Sequence, residues 1–269
     1  MVFGLLTLLT DYGPGTGFVG SLHAVAYAIA PKVRVIDLDH SVPAGDVRLG
    51  ALKLERLMAC TPPGVHVAIV DPGVGTSRLP VGIAVSGRIF IGPDNGILCW
   101  AATSCGDIEA VVTLDDESYF RPGRASTFDG RDIFVPVAAH IATGVGLHEL
   151  GSVIDPSELV TLERPKVLLG PNGPSATLEV TEVDSFGNVQ LSGDATTARQ
   201  LGLVPGSPVT VTAKTSQPTR FGSSFSDVEA GQLVLLIDSD GALAISANRA
   251  RADALVGIKA WAKVRIEPA

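Results

Sequence analysis

His66-Val67-Ala68-Ile69-Val70-Asp71-Pro72-Gly73-Val74-Gly75-Thr76-Ser77-Arg78 reads as a strand that delivers a carboxylate into a tight turn. Val67 to Val70 is a short apolar run of the kind a fully buried strand requires, and it stops at Asp71, followed by Pro72, Gly73 and Gly75. The glycines accept backbone angles closed to other residues, so the chain can reverse and bring Arg78 back toward Asp71. In open α/β sheets ligands bind just outside the carboxyl ends of strands, which makes this pair a candidate functional site. The competing reading is an ordinary turn, with Asp71 capping it and Arg78 in solvent.

Outward from this strand the chain alternates between strand and helix patterns. Leu5 to Thr10 reads as a strand closed by Asp11, and Gly17 to Ala30 carries apolar residues at helical spacing until Pro31. Val33 to Leu38 is a second strand. Asp46 can cap a helix to about Cys60, with Leu49 or Gly50, Leu54, Leu57 and Met58 inward, ended by Pro62, Pro63 and Gly64. Pro80 to Val85 and Arg88 to Ile91 pair around Ser86-Gly87, and Gly92-Pro93-Asp94-Asn95-Gly96 makes a compact turn. Ile108 to Leu114 adds a strand, and Asp132 to Thr143 a helix after the polar loop Phe120 to Arg131. The pattern predicts an α/β N-terminal domain over residues 1–165, its mostly parallel central sheet covered by helices on both faces. Gly170-Pro171-Asn172-Gly173-Pro174 marks a linker, placed at 166–175. Residues 176–269 then carry short β-rich runs at hairpin intervals, from Ala176–Val183 to Val264–Glu267, which predict a small antiparallel β-barrel or sandwich.

Composition narrows the function. Of 269 residues, 46% are hydrophobic and 18% charged, as in a folded globular protein, and the net charge is −8. An acidic chain without a Lys/Arg cluster has no footprint for nucleic acid and is repelled by an anionic membrane; a cationic small molecule suits it better. Cys60, Cys99 and Cys105 are odd in number and lack metal-type spacing, so they read as free thiols in a reducing compartment, with a cytoplasmic location. Val2 to Leu9, short and soon followed by Asp11, reads as a first buried strand rather than a signal peptide or membrane span. The five histidines, His23, His40, His66, His140 and His148, have no paired ligand spacing, and no metal is expected.

Gly15-Thr16-Gly17-Phe18-Val19-Gly20 fits the G-x-G-x-x-G dinucleotide fingerprint, with Asp37 near the end of the next strand, so an NAD-dependent oxidoreductase is a competitor. Two features count against it. Asp11 puts a carboxylate where a pyrophosphate needs positive potential, and Asp11-Tyr12-Gly13-Pro14 separates the strand from the glycines.

Six stretches line up as a set: Leu9-Thr10-Asp11-Tyr12-Gly13, Val70 to Arg78, Gly92 to Gly96, Thr127-Phe128-Asp129-Gly130-Arg131-Asp132, Asp184-Ser185-Phe186-Gly187-Asn188, and Ser239-Asp240-Gly241 with Asn248. Together they resemble the S-adenosyl-L-methionine (SAM) hydroxide adenosyltransferases, or SAM hydrolases, relatives of the SAM-dependent fluorinase and chlorinase. The resemblance spans nearly the whole chain. It implies an N-terminal α/β domain, a C-terminal β-barrel, and a homotrimer whose active sites lie between one subunit's N-terminal domain and a neighbour's C-terminal domain. It also implies that water or hydroxide attacks ribose C5′ of SAM, giving adenosine and L-methionine, with no cofactor because SAM is the substrate.

By that resemblance Asp71, Arg78 and Asp129 surround the nucleophile. Asp129 departs from the pattern, since the hydrolases read Thr-Phe-His-Gly-Arg-Asp there; one arginine is then expected to face two carboxylates. Asp71 stands where the halogenases carry a tyrosine, and Gly45 where the fluorinase has an aromatic residue, which argues against halide chemistry. For substrate, Asp11 is matched to the ribose hydroxyls, with a helix N-cap as its competing role, and Phe128 to the nucleoside. Asp184 is matched to the methionine ammonium, Asn188 to the adenine edge, Phe186 to substrate binding, Ser239 to the methionine end and Asn248 to adenine. A β-turn alone is the competing reading of Asp184 to Asn188. A protein that holds SAM or adenosine without turning it over is the alternative from another class.

Overall fold

The computed structural model describes residues 2–171 and 173–269; Asn172, part of the expected linker, lies outside the described residues. The chain divides between Leu162 and Glu163 into two compact units. In chain order the first contains β1 (Leu5–Thr10), α1 (Gly17–Ile29), β2 (Arg34–Asp39), α2 (Val47–Met58), β3 (Val65–Ile69), β4 (Pro80–Val85) and β5 (Arg88–Pro93). It continues with α3 (Cys99–Cys105), β6 (Ala110–Leu114), α4 (Val135–Thr143) and β7 (Gly151–Ile154).

The seven strands form one sheet in the order β2-β1-β3-β5-β4-β6-β7. β2, β1, β3 and β5 run parallel, and all strands but β4 and β7 point the same way; the β4, β5 hairpin turns at Ser86 and Gly87, both with positive φ. Helices cover both faces. Leu6, Leu8, Val67 and Ile69 pack with Leu22 and Ala26 of α1 and Val137 and Ile141 of α4. Leu9, Ala68, Val70 and Phe90 pack on the other face with Leu54 and Met58 of α2 and Ala101 and Ala102 of α3. Successive residues of β1 and β3 thus enter opposite apolar layers, which is why both strands read as unbroken apolar runs. Asp46 caps α2 by accepting from the Leu49 N–H at 3.0 Å.

Two local differences from the sequence expectation have physical causes. α3 is built from Cys, Trp, Ala, Thr and Ser over seven residues, too short and too even in polarity to display a helical period. The helix expected from Asp132 begins instead with a π-helical turn, Gly130–Phe134, before α4. Pro136 has no N–H to return to the Asp132 carbonyl, and that carbonyl accepts from the Arg121 N–H at 2.9 Å.

His66 is fully buried in β3, 3.0 Å from Thr7 Oγ1 through Nδ1. Burial, with the nearby Arg88 charge second, pushes its pKa down to about 3. The folded state therefore holds the neutral ring while the unfolded chain takes up a proton below about pH 6.5. Stability is complete above that value and falls as the pH drops toward 3. Between pH 7 and pH 5 the expected loss from this residue is about 2 kcal/mol. Chemical denaturation of wild type and His66→Gln at both pH values measures it: the variant is expected to show a correspondingly flatter pH dependence.

The second unit contains β8 (Val167–Leu169), β9 (Ala176–Val183), β10 (Val189–Asp194), α5 (Ala195–Gln200), β11 (Pro208–Thr212), β12 (Ser216–Arg220), β13 (Leu233–Ile237), β14 (Ala242–Ala247), α6 (Ala252–Val256) and β15 (Lys263–Pro268). Its eight-stranded antiparallel sheet runs β12-β11-β15-β9-β10-β14-β13, with β8 paired to β9, so part of 166–175 belongs to this sheet. A bridge from Phe221 to Leu235 and the Thr219 hydroxyl donating to the Leu233 carbonyl at 2.5 Å bring the two ends together, leaving a nearly closed barrel. Among the described residues no helix is long and apolar enough to cross a membrane. Among the described residues, Cys60, Cys99 and Cys105 are not joined in disulfides.

Candidate active site

Adjacent parallel strands β1 and β3 end beside each other and release Asp11 and Asp71 at the same edge of the sheet. The Asn95 amide, in the turn after β5, donates to the Val70 carbonyl at 2.8 Å and ties down the start of the Asp71 turn. The turn then closes on itself, with Val74 N–H to Asp71 O at 3.3 Å and Thr76 N–H to Gly73 O at 3.1 Å. Gly75 has φ +78°, and a Cβ there would press to 3.1 Å from the Ser126 carbonyl, so the position requires glycine. Arg78 returns as the sequence suggests: its Nε donates to Asp71 Oδ2 at 2.9 Å and Oδ1 at 3.1 Å, and its Nη2 also meets Oδ2. The Asp71 and Arg78 side chains are only 6% and 11% exposed, which removes the reading of a solvated turn.

Asp129 reaches the same guanidinium from the loop before α4. The fully buried Asp132 shapes that loop, accepting from Arg131 Nε at 2.7 Å, Arg131 Nη2 at 2.8 Å and the Ala125 N–H at 2.8 Å. Asp129 Oδ2 then accepts from Arg78 Nη2 at 2.6 Å. One arginine faces two carboxylates. Burial alone would make Arg78 easier to deprotonate, but its bonds to Asp71 and Asp129 outweigh that and raise its pKa above the ordinary value. The Tyr12 hydroxyl stands so close over Gly130 that a Cβ there would collide with it. Burial chiefly, then the charges of Asp11, Asp71 and Asp129, push the Tyr12 pKa up and keep it a neutral phenol.

Asp71, Asp129 and Tyr12 line a cleft of about 540 Å³ together with Asp11, Phe18 and Phe128, among others. Phe128 makes edge contacts with Tyr12 and Phe18, at ring-centre distances of 5.6 and 5.3 Å, and its face carries the Arg131 guanidinium at 4.8 Å. Asp11 does not cap α1, whose N-cap is Thr16; its Oδ2 accepts from the Gly45 N–H at 2.9 Å. Gly20, third glycine of the dinucleotide-like stretch, is exposed with nothing within 4 Å of a built Cβ, so it does not make the close helix–strand contact of that fingerprint. Tyr12 and Phe18 were not singled out from sequence; the signal was their place beside Asp11 and in the first turn of α1.

The remaining sequence candidates lie in the second unit. Asp184 accepts from the Phe186 and Asn188 N–H groups and from the Asn188 amide, at 2.7 to 2.9 Å, so the turn reading of this stretch describes its local bonding. Phe186 projects from that turn, 78% exposed. Ser239 is exposed in the β13, β14 turn, and Asn248 donates to the Val228 carbonyl at 2.7 Å. A larger groove of about 810 Å³ in this unit is lined by none of the residues singled out above, and size alone does not make it a site. Among the described residues no three or more His, Cys, Asp or Glu gather as a metal site.

A cleft at the carboxyl ends of parallel strands, walled by aromatic rings and richer in carboxylate than guanidinium, has the position and lining of a candidate ligand site in an open α/β protein. Comparison with known proteins gives this class a family. Residues 6–151 match the SAM hydroxide adenosyltransferase N-terminal domain and residues 178–265 its C-terminal domain, and the chain belongs to that family. It is 39% identical over 261 residues, 97% of each chain, to an (R)-S-adenosyl-L-methionine hydrolase of Salinispora tropica. A fluorinase of Actinopolyspora mzabensis is more distant, 25% identical over 291 residues covering 97% of this chain and 96% of its own. Among solved structures, a conserved protein of Thermotoga maritima superimposes with a TM-score of 0.90 at 30% identity, covering 97% of this chain and 99% of that one.

Proposed function

We propose that this protein is a SAM hydrolase, forming adenosine and L-methionine by attack of water on ribose C5′. The observation that carries the reading is the Arg78 guanidinium held between Asp71 and Asp129, the two carboxylates that themselves line an aromatic cleft. A sulfonium is already a good leaving group, so the reaction needs an oriented, desolvated oxygen more than covalent help. Asp71 accepts a proton from the water as its oxygen bonds to C5′; the C5′–S bond breaks and its electron pair stays with sulfur as the thioether of methionine. Arg78 gives Nε and Nη2 to the carboxylates, and Nη1 serves as its donor to the water oxygen. Asp129 acts as a second acceptor. The surplus of carboxylate favours a cationic substrate and opposes a halide.

Asp11 binds the ribose hydroxyls through the oxygen not given to Gly45, and Phe128 packs on the nucleoside. Asp184, Phe186, Asn188, Ser239 and Asn248 contribute from the second unit of a neighbouring subunit in a cytoplasmic homotrimer, without a cofactor. Family membership and the SAM hydrolase names of relatives support SAM as the substrate.

Incubation with SAM in ¹⁸O-water, followed by chromatography and mass spectrometry, tests the reaction. Labelled adenosine is expected; intact SAM, or a chlorinated nucleoside when chloride is added, rejects it. Asp129→Asn is expected to lower kcat by about 10- to 100-fold, the effect of losing a bond to a charged group, with little change in SAM binding. Unchanged turnover in that variant removes Asp129 from the reaction.

A further inference from the structure

Thr10, His40 and Asp37 form a row beside the cleft. Thr10 Oγ1 is 2.8 Å from His40 Nδ1, and His40 Nε2 stands 3.1 Å from Asp37 Oδ1. Hydroxyl, imidazole and carboxylate in this order are the parts of a nucleophile relay, but Thr10 has no solvent exposure and its oxygen accepts from the Tyr12 N–H at 3.1 Å. No substrate reaches it. The bonding pattern gives another direction: Tyr12 N–H to Thr10 oxygen and Thr10 O–H to His40 Nδ1, which leaves the ring proton on Nε2, facing the Asp37 carboxylate at ion-pair distance without an aligned hydrogen bond.

His40 also accepts the Gly13 N–H on its own carbonyl at 2.8 Å. One residue therefore grips the Asp11, Tyr12, Gly13 turn at both ends, through Thr10 and through Gly13. The segment that follows His40 supplies the Gly45 N–H that holds Asp11 Oδ2. We infer that His40 is a positioning residue, oriented by Asp37, that fixes the Asp11 carboxylate for the ribose hydroxyls. The inference rests on the proposed role of Asp11.

The test is steady-state kinetics of adenosine formation and calorimetric binding of adenosine, on full-length His40→Ala, His40→Asn and Asp37→Asn. His40→Ala is expected to raise KM for SAM and Kd for adenosine about tenfold, with kcat within about threefold, the scale of one lost neutral hydrogen bond. His40→Asn, whose amide oxygen can accept from Thr10, is expected to recover to within about threefold. Asp37→Asn is expected to shift KM the same way by about threefold. A purely structural role appears instead as a lower Tm and a smaller active fraction at unchanged KM, and that result overturns the inference. If His40→Ala does not fold, Asp37→Asn decides: an unchanged KM for SAM together with an unchanged Kd for adenosine overturns it. A wild type that binds adenosine without making it from SAM sinks the hydrolase reading alone, and adenosine Kd in His40→Ala still judges the positioning role. A wild type that binds no adenosine removes the role of Asp11 and this inference with it.

Discussion

Asp71→Asn is expected to lower kcat for adenosine formation by about 10³-fold while leaving KM for SAM within a few-fold of wild type. The carboxamide keeps the size of the side chain but cannot take a proton from water, and removal of a positioned base costs on the order of 10²- to 10⁴-fold. Asn can still accept from Arg78 Nε, so the turn from Asp71 to Arg78 is expected to hold its shape. Single-turnover measurement of adenosine release separates the outcomes. A kcat within threefold of wild type removes Asp71 from the chemistry and moves the base to Asp129.

Arg78→Ala is expected to act on both rate and stability. It removes the donor that orients the oxygen, worth about 10²- to 10³-fold in kcat for a preorganised donor. It also leaves Asp71 and Asp129, 6% and 13% exposed, without their shared counter-charge. Stranding partners of a buried ion pair costs about 3 kcal/mol or more. Denaturant unfolding is expected to show that loss, and Arg78→Ala combined with Asp129→Asn is expected to regain about 1 kcal/mol of it without regaining activity, because one repelling charge has gone. Equal stabilities of the single and double variants contradict the picture of two carboxylates competing for one guanidinium.

How far the sequence revealed this arrangement depended on the kind of constraint. β1 and Val67 to Val70 were legible because strands buried on both faces leave continuous apolar runs. The return of Arg78 to Asp71 was legible because proline and glycine mark a turn within a few residues. β12 was not: its sequence SQPTR has no apolar alternation and contains proline, which an end strand tolerates. The choice between barrel and sandwich was also out of reach, since strand register and the Phe221 to Leu235 bridge leave no local mark. In the site, Asp71, Arg78, Asp129, Asp11 and Phe128 were named from motifs. Tyr12, Phe18 and His40 were missed as site elements because their proximity depends on which strands neighbour each other, a property of the sheet order rather than of any one stretch.

Asp132 also holds the chain at two points upstream, taking the Arg121 N–H on its carbonyl and the Ala125 N–H on its carboxylate. The residues between, Pro122, Gly123 and Arg124, are therefore an exposed bow stapled at both ends to a single buried post. Lengthening or rewriting that bow leaves the staples, and with them Asp129, where they are. It is the natural insertion point for a tag or reporter that must not disturb the neighbouring chemistry.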